Sequence, residues 1–278
     1  MPTADRARTT ALSRLTTLRV GGPVRLWEVE SEADLREATG EPFLVIGAGS
    51  NVLASDAGVS ERVVRLGRSY NTMSTFDGAA KDIWLGAATP LPGLVRRAQQ
   101  AGLSGLEGLL GVPAVLGGAV AMNAGTRFGS MQDTLQEVEL FVGGRLERLA
   151  ADDLRLGYRQ ARLPDGAIVT CARLRLTRST PERVQIAMAE VDSARKGQPK
   201  IKSAGCAFKN PPGDSAGRLI DRAGLKGMRV GDAMISFEHG NFVVNMGDAS
   251  AADVLALIEL VRERVGRELE LEWKLWGF

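Results

Sequence analysis

Phe43-Leu44-Val45-Ile46-Gly47-Ala48-Gly49-Ser50-Asn51-Val52-Leu53 admits two incompatible architectures. Its four leading apolar residues form a run of strand length that opens directly onto a loop holding two glycines. Adjacent glycines allow positive φ and let successive backbone N–H groups converge on an anion, while Ser50 and Asn51 add side-chain donors. A Gly-x-Gly after a strand suggests the dinucleotide fingerprint of a doubly wound sheet. Its third glycine, however, would fall at Val52, and the following Ser55-Asp56-Ala57-Gly58 is a turn, not a helix. No Gly-Lys-Ser/Thr occurs either, which removes the P-loop NTPases. A phosphate held here is held in another fold. The alternative is a tight turn of small residues, and the loop alone leaves both open.

Outward from this loop, short strands alternate with capped helices. Ser31, with Asp34 three residues on, starts a helix that Gly40 ends, and Thr89-Pro90 starts another that stops at Gly102. The segment 105–125 follows. Gly105, Gly108, Gly111, Gly117, Gly118 and Gly125 are too close together for a long stable helix. A ligand plane could lie directly on such a backbone, or the glycines could serve close packing. Val138 to Val142 and Arg145 to Leu149 flank Gly143-Gly144, the signature of a two-residue hairpin turn. Ile168 to Leu176 alternates as a strand and contains Cys171, which reads as a small buried filler.

Gly157-Tyr158-Arg159 puts an aromatic hydroxyl and a guanidinium beyond a glycine, a pair able to grip an anionic substrate. Thr180-Pro181 opens a further helix, and a domain boundary is expected at about residue 179. Beyond it, Ser203-Ala204-Gly205-Cys206-Ala207-Phe208-Lys209-Asn210-Pro211 gathers a thiol, an ammonium and an amide within five positions. Environment alone decides whether such a cysteine is filler or reagent. Ser215 to Ala223 and 250–264, the latter with Ser250 and Asp253 as its cap, read as helices, and Phe242 to Asn245 as a strand. The chain closes on 269–277, read as one strand whose Glu270 and Glu272 point to the same side by period-two alternation.

The composition narrows the function classes. With 278 residues, 44% hydrophobic and 24% charged, the chain suits two ordinary domains. A formal charge of +2 with scattered basic residues gives no support to nucleic-acid or membrane binding. Two cysteines without a C-x-x-C pair fit a reducing cytoplasm. The polar N-terminal stretch does not read as a signal peptide, and no apolar run is long enough to span a bilayer. His239 is the only histidine, so a His-rich metal site and a Ser-His-Asp triad are excluded and no metal is expected. For His239 itself a structural hydrogen bond is the expected role.

Taken together, Thr17-Leu18-Arg19-Val20-Gly21-Gly22, the 47–53 loop, the 105–125 segment, Tyr158-Arg159, 205–211, Ala223-Gly224-Leu225-Lys226-Gly227, 239–245 and 269–277 resemble the UDP-N-acetylenolpyruvoylglucosamine reductase family nearly end to end. The compact length resembles its shorter subclass. The resemblance implies an α+β fold. An FAD-binding domain of vanillyl-alcohol-oxidase (PCMH) type, 1–178, would comprise subdomains of about 1–66 and 67–178, followed by a substrate-binding domain, 179–278. It further implies non-covalent FAD cradled by Gly47, Ala48, Gly49, Ser50, Asn51 and Val52 and lined by Gly117, Gly118, Asn123, Ala124 and Gly125, with NADPH as reductant.

By the same resemblance Arg159, Cys206 and Glu272 are catalytic, Tyr158, Lys209 and Asn210 touch a UDP-sugar, and the enzyme is a cytoplasmic monomer. Cys206 stands where the family usually has Ser. Other readings are a different FAD oxidase or dehydrogenase of this fold, or a non-catalytic nucleotide-sugar-binding module.

Overall fold

Helices begin where short polar side chains can take up the first free N–H groups. Ser31 Oγ accepts from Asp34 N at the start of α1 (Glu32–Ala38), and Thr180 Oγ1 does the same for Arg183 ahead of Pro181. The computed structural model describes residues 7–76, 82–199 and 201–278. Its contacts gather into two units, each with its own apolar core.

One unit comprises Trp27–Gly47 and Val63–Lys196. Its main sheet is antiparallel, in the spatial order Arg145–Ala150, Leu135–Val142, Ile168–Arg175, Asp82–Gly86. Alternation puts Val138, Leu140, Ala172, Leu174 and Leu85 inside, in one core with the buried faces of α2 (Leu91–Gln100), α3 (Leu116–Ala121) and α4 (Pro181–Ala194). The polar face carries Arg148 over the Trp84 ring at 4.7 Å and Arg173 paired with Glu137 at 2.9 Å. The expected hairpin at Gly143-Gly144 is present, both glycines at positive φ. Segment 105–125 yields only the six-residue α3 and a single 3-10 turn at Glu107–Leu109, as its glycines require.

The other unit comprises Met1–Leu26, Ala48–Arg62 and Gly197–Phe278. Its four-stranded antiparallel sheet runs Ser203–Cys206, Phe242–Asn245, Ala233–Ile235, Arg229–Val230. Helices α5 (Ala216–Arg222) and α6 (Ala251–Val265) share its core through Ala216, Ile220, Val254, Leu257, Ile258 and Val261. These units cut across the linear division expected at residue 179. Val52–Ala54 satisfies its backbone by pairing in parallel with Lys274–Trp276, so the segment after the glycine loop sits with the C-terminal third.

The 269–277 stretch is not the single strand expected. It makes an isolated antiparallel bridge from Leu271 to Phe208 and then the parallel pairing with Val52–Ala54. Two partners of opposite direction leave Glu270 exposed and Glu272 half-buried.

Asp56, in the turn beyond the loop, receives Ala251 N at 2.8 Å and Ala252 N at 3.3 Å, and so adds a second cap to α6 beside the Ser250–Asp253 box. Asp56→Ala is expected to cost about 1 kcal/mol in chemical denaturation, the typical loss for a removed helix cap. The visible spectrum of the protein should not change.

Candidate active site

A cavity of about 200 Å³ opens in the Trp27–Gly47 and Val63–Lys196 unit. Its lining is almost wholly apolar: Val45, Ile46 and Gly47 beyond one strand, Leu66, Ala87 and Ala88, Val115, Gly117, Gly118 and Ala121 around α3, and Leu163, Ala167, Ile168 and Val169. Arg65 supplies the one charged lining residue, and its guanidinium is tied to Glu28 Oε1 at 2.5 Å. The strand alternation of Arg62–Leu66 hides Arg65 as an ordinary surface position, so the sequence carries no signal for it.

The glycines of the lining differ in their reasons. A Cβ at Gly47 would stand 2.8 Å from Val115 Cγ2, and one at Gly117 would stand 2.8 Å from the Ala87 Cβ, so both glycines permit close packing. At Gly118 a Cβ would meet only Val115 Cγ2, at 3.9 Å, and the space beyond is the cavity. A bare backbone facing an apolar recess fits the flat ring system of a flavin, which needs contact area and few charged partners. Of the loop, Gly47 belongs to this lining. Gly49 is required for another reason, since at φ +66 its Cβ would lie 2.0 Å from the Leu15 carbonyl oxygen.

Asn123, Ala124 and Gly125 lie outside that lining and form a brace. Asn123 is buried in the left-handed region at φ 39. Its amide donates to Gln132 Oε1 at 3.1 Å and to the Gly157 carbonyl at 2.9 Å, while its own oxygen accepts from Gln132 N at 3.0 Å. Both amide hydrogens are thus spent inside the protein. Gly125 packs so closely on Ser130 that a Cβ would meet the Ser130 Cβ at 2.6 Å, and its carbonyl accepts from Arg159 Nη1 at 2.7 Å. Arg159 occupies a tight turn at φ 58, with its guanidinium 5.4 Å from the half-exposed Tyr158 ring. Anchoring to Gly125 holds the fork of Arg159 in one orientation.

In the other unit, Cys206 ends the strand Ser203–Cys206, half-buried and opposite Phe242. Gly205 just before it takes φ +73, a conformation that favours glycine. Beyond Cys206 the chain runs antiparallel to 270–272: Glu272 N donates to the Ala207 carbonyl and Lys209 N to the Glu270 carbonyl, both at 2.8 Å. Cys206 and Glu272 therefore stand one residue apart across this pairing. Lys209 Nζ lies 2.6 Å from Glu270 Oε1, so the lysine expected at a substrate already has an anionic partner. Asn210 Oδ1 accepts from Ala216 N at the start of α5, which commits its oxygen to the fold.

Asn51, expected as a side-chain donor to phosphate, gives its amide to the Glu272 carbonyl at 3.2 Å, and its main-chain carbonyl accepts from Lys274 N, where the parallel pairing begins. Burial, with Glu139 nearby, pushes Cys171 up to about 11, which keeps it protonated and inert near neutrality. His239 is held below its ordinary value, first by burial and then by the charge of Lys226. Its Nδ1 accepts from Asn241 N at 3.1 Å and its ring meets Phe242 edge-on, the structural role expected of it.

Residues 25–148 match the family model described as FAD binding domain, and residues 198–276 match that of the UDP-N-acetylenolpyruvoylglucosamine reductase C-terminal domain. The chain is 57% identical over 265 residues to the UDP-N-acetylenolpyruvoylglucosamine reductase of Thermus thermophilus, a span of 95% of this chain and 97% of the relative. It belongs to the UDP-N-acetylenolpyruvoylglucosamine reductase family. The Deinococcus radiodurans reductase is 52% identical over 273 residues, 95% of this chain and 94% of its own. The crystal structure of the Thermus caldophilus reductase superposes with a TM-score of 0.93 at 56% identity, covering 98% of this chain and 99% of that one.

The expected α+β fold with an FAD-binding domain is the fold of this reductase family. Its FAD-binding match includes all three cavity glycines and stops before Arg159. The reductase-specific match includes Cys206, Lys209, Asn210 and Glu272. Among the described residues, no group of three or more His, Cys, Asp or Glu could hold a metal ion, and no helix is long and apolar enough to cross a membrane.

Proposed function

We propose that this chain catalyses the NADPH-dependent, FAD-mediated reduction of UDP-N-acetyl-3-O-(1-carboxyvinyl)-glucosamine to UDP-N-acetylmuramate, a cytoplasmic step of peptidoglycan precursor synthesis. The observation that supports this reading is the pairing of 207–209 with 270–272, which leaves Cys206 one residue out of register with Glu272 in a chain of this family. Bound FAD would supply the hydride chemistry between NADPH and the β-carbon of the enolpyruvyl group. Gly47, Gly117 and Gly118 would hold its ring system without covalent attachment.

The chain's own side chains must then meet two needs. Negative charge develops on the substrate carboxyl region, and the α-carbon must gain a proton for the double bond to be saturated. Arg159, always charged and oriented by Gly125, serves the first. A protonated Glu272 would add a hydrogen bond to the same region. Cys206 serves the second need by giving its proton to the α-carbon. A thiol, with an ordinary pKa of about 8.5, releases a proton far more readily than the serine usual at this position. Tyr158, Lys209 and Asn210 are proposed to contact the UDP-sugar, with the Lys209–Glu270 pair opening as an anionic substrate arrives.

The test is anaerobic. NADPH should bleach the bound FAD, and addition of the enolpyruvyl nucleotide should restore its visible absorbance with formation of UDP-N-acetylmuramate. A reduced protein that stays bleached with this substrate would point to another oxidoreductase of the same fold, and a protein purified without colour to a binding module.

A further inference from the structure

The pairing of 207–209 with 270–272 leaves the main-chain groups of one residue unserved. Lys209 N donates to the Glu270 carbonyl and Glu272 N donates back to the Ala207 carbonyl, on either side of the Phe208–Leu271 bridge. The N–H and carbonyl of Phe208 itself therefore point the other way, into the interior, where Phe208 is 1% exposed and neither group meets a strand. Asn241 fills this gap. Its Oδ1 accepts from Phe208 N at 2.9 Å and its Nδ2 donates to the Phe208 carbonyl at 2.7 Å, while its main-chain carbonyl accepts from Ala207 N at 2.8 Å. A primary amide is the side-chain group that presents an acceptor and a donor side by side, as a neighbouring peptide would. Asn241 is itself 2% exposed, and its own N–H is bound by His239 Nδ1 at 3.1 Å.

We infer that Asn241 is a positioning residue, standing in for a missing strand so that the peptides after Cys206 are gripped from one side by its amide and from the other by Glu272. The inference rests on the proposed roles of Cys206 and Glu272. It adds that their relative placement depends on a side chain that touches neither substrate nor cofactor. Without that amide, buried peptide groups lack partners and the segment must shift to find water, which displaces the thiol. Displacements of about 1 Å at a reacting group cost on the order of 100-fold.

The experiment uses the FAD-loaded enzyme and the variants Asn241→Ala and Asn241→Asp, the latter keeping the acceptor for Phe208 N–H and losing the donor to its carbonyl. Both should bind FAD and be reduced by NADPH within about twofold of the parent. Reoxidation by saturating enolpyruvyl nucleotide should slow about 10- to 100-fold, a fall in kcat rather than a rise in KM. As a second readout, alkylation of Cys206 by iodoacetamide in the same variants should quicken at least about threefold as the segment loosens, with Cys171 unchanged.

If Asn241→Ala does not fold, Asn241→Asp carries the test. A folded, FAD-bound variant that reoxidises within about twofold of the parent, with unchanged alkylation, overturns the inference. Cys206→Ala run alongside separates the two failures. Should that control reoxidise as fast as the parent, the assignment of Cys206 is at fault and the inference falls with it.

Discussion

Cys206→Ala is expected to leave reduction of FAD by NADPH intact and to slow formation of UDP-N-acetylmuramate by about 100- to 10,000-fold, the usual contribution of a positioned general acid. In the proposed reaction hydride delivery and proton delivery use different groups. The thiol sits at the end of the strand Ser203–Cys206, half-buried, and has no part in the cavity-bearing unit. Cys206→Ser should retain substantial turnover, because a hydroxyl at the same place can donate, though less readily, and its rate should rise less steeply with falling pH than a thiol-limited step. Rapid kinetics that follow bleaching and recovery separately check this. Full activity in Cys206→Ala would return the residue to a packing role.

A larger side chain at Gly118 should have opposite effects on folding and on colour. Gly118 lies within α3, and a Cβ there meets only Val115 Cγ2 at 3.9 Å. Gly118→Leu should therefore leave the apo fold unharmed, and replacing a helical glycine favours the helix by about 1 kcal/mol. The leucine then occupies the cavity that a flavin ring would use, so the purified protein should be colourless and should not take up added FAD. Gly117→Leu differs. Its Cβ would press on Ala87 at 2.8 Å, and the expected loss there is of the fold as well as of the colour. The visible spectrum and thermal denaturation of the two variants separate the cases. A yellow Gly118→Leu protein with one FAD per chain would remove this cavity as the flavin site.

Much of the local structure was legible because its causes are local. The Ser31, Thr180 and Ser250 caps, the Gly143-Gly144 turn and the refusal of 105–125 to form a long helix each depend on residues a few positions apart. Motif order across the whole chain likewise carried the family and with it the FAD-binding and reductase assignment. Period-two alternation failed at 269–277, since it assumes one partner for a strand, and this stretch serves two.

Asn51, Asn123 and Asn210 were expected at a ligand, and each also has side-chain groups bound within the fold. The sequence by itself determined which residue types are available, where helices and turns begin, and to which family the chain belongs. Tertiary structure alone decided that Asn51 meets Glu272 across 221 positions and that Asn241 serves the peptide beside Cys206. It also decided that Gly118, and not Gly117, has open space above it. The physical reason is that a buried polar group must be satisfied by whatever the fold brings to it, and partners separated by the length of the chain leave no periodic mark on either segment.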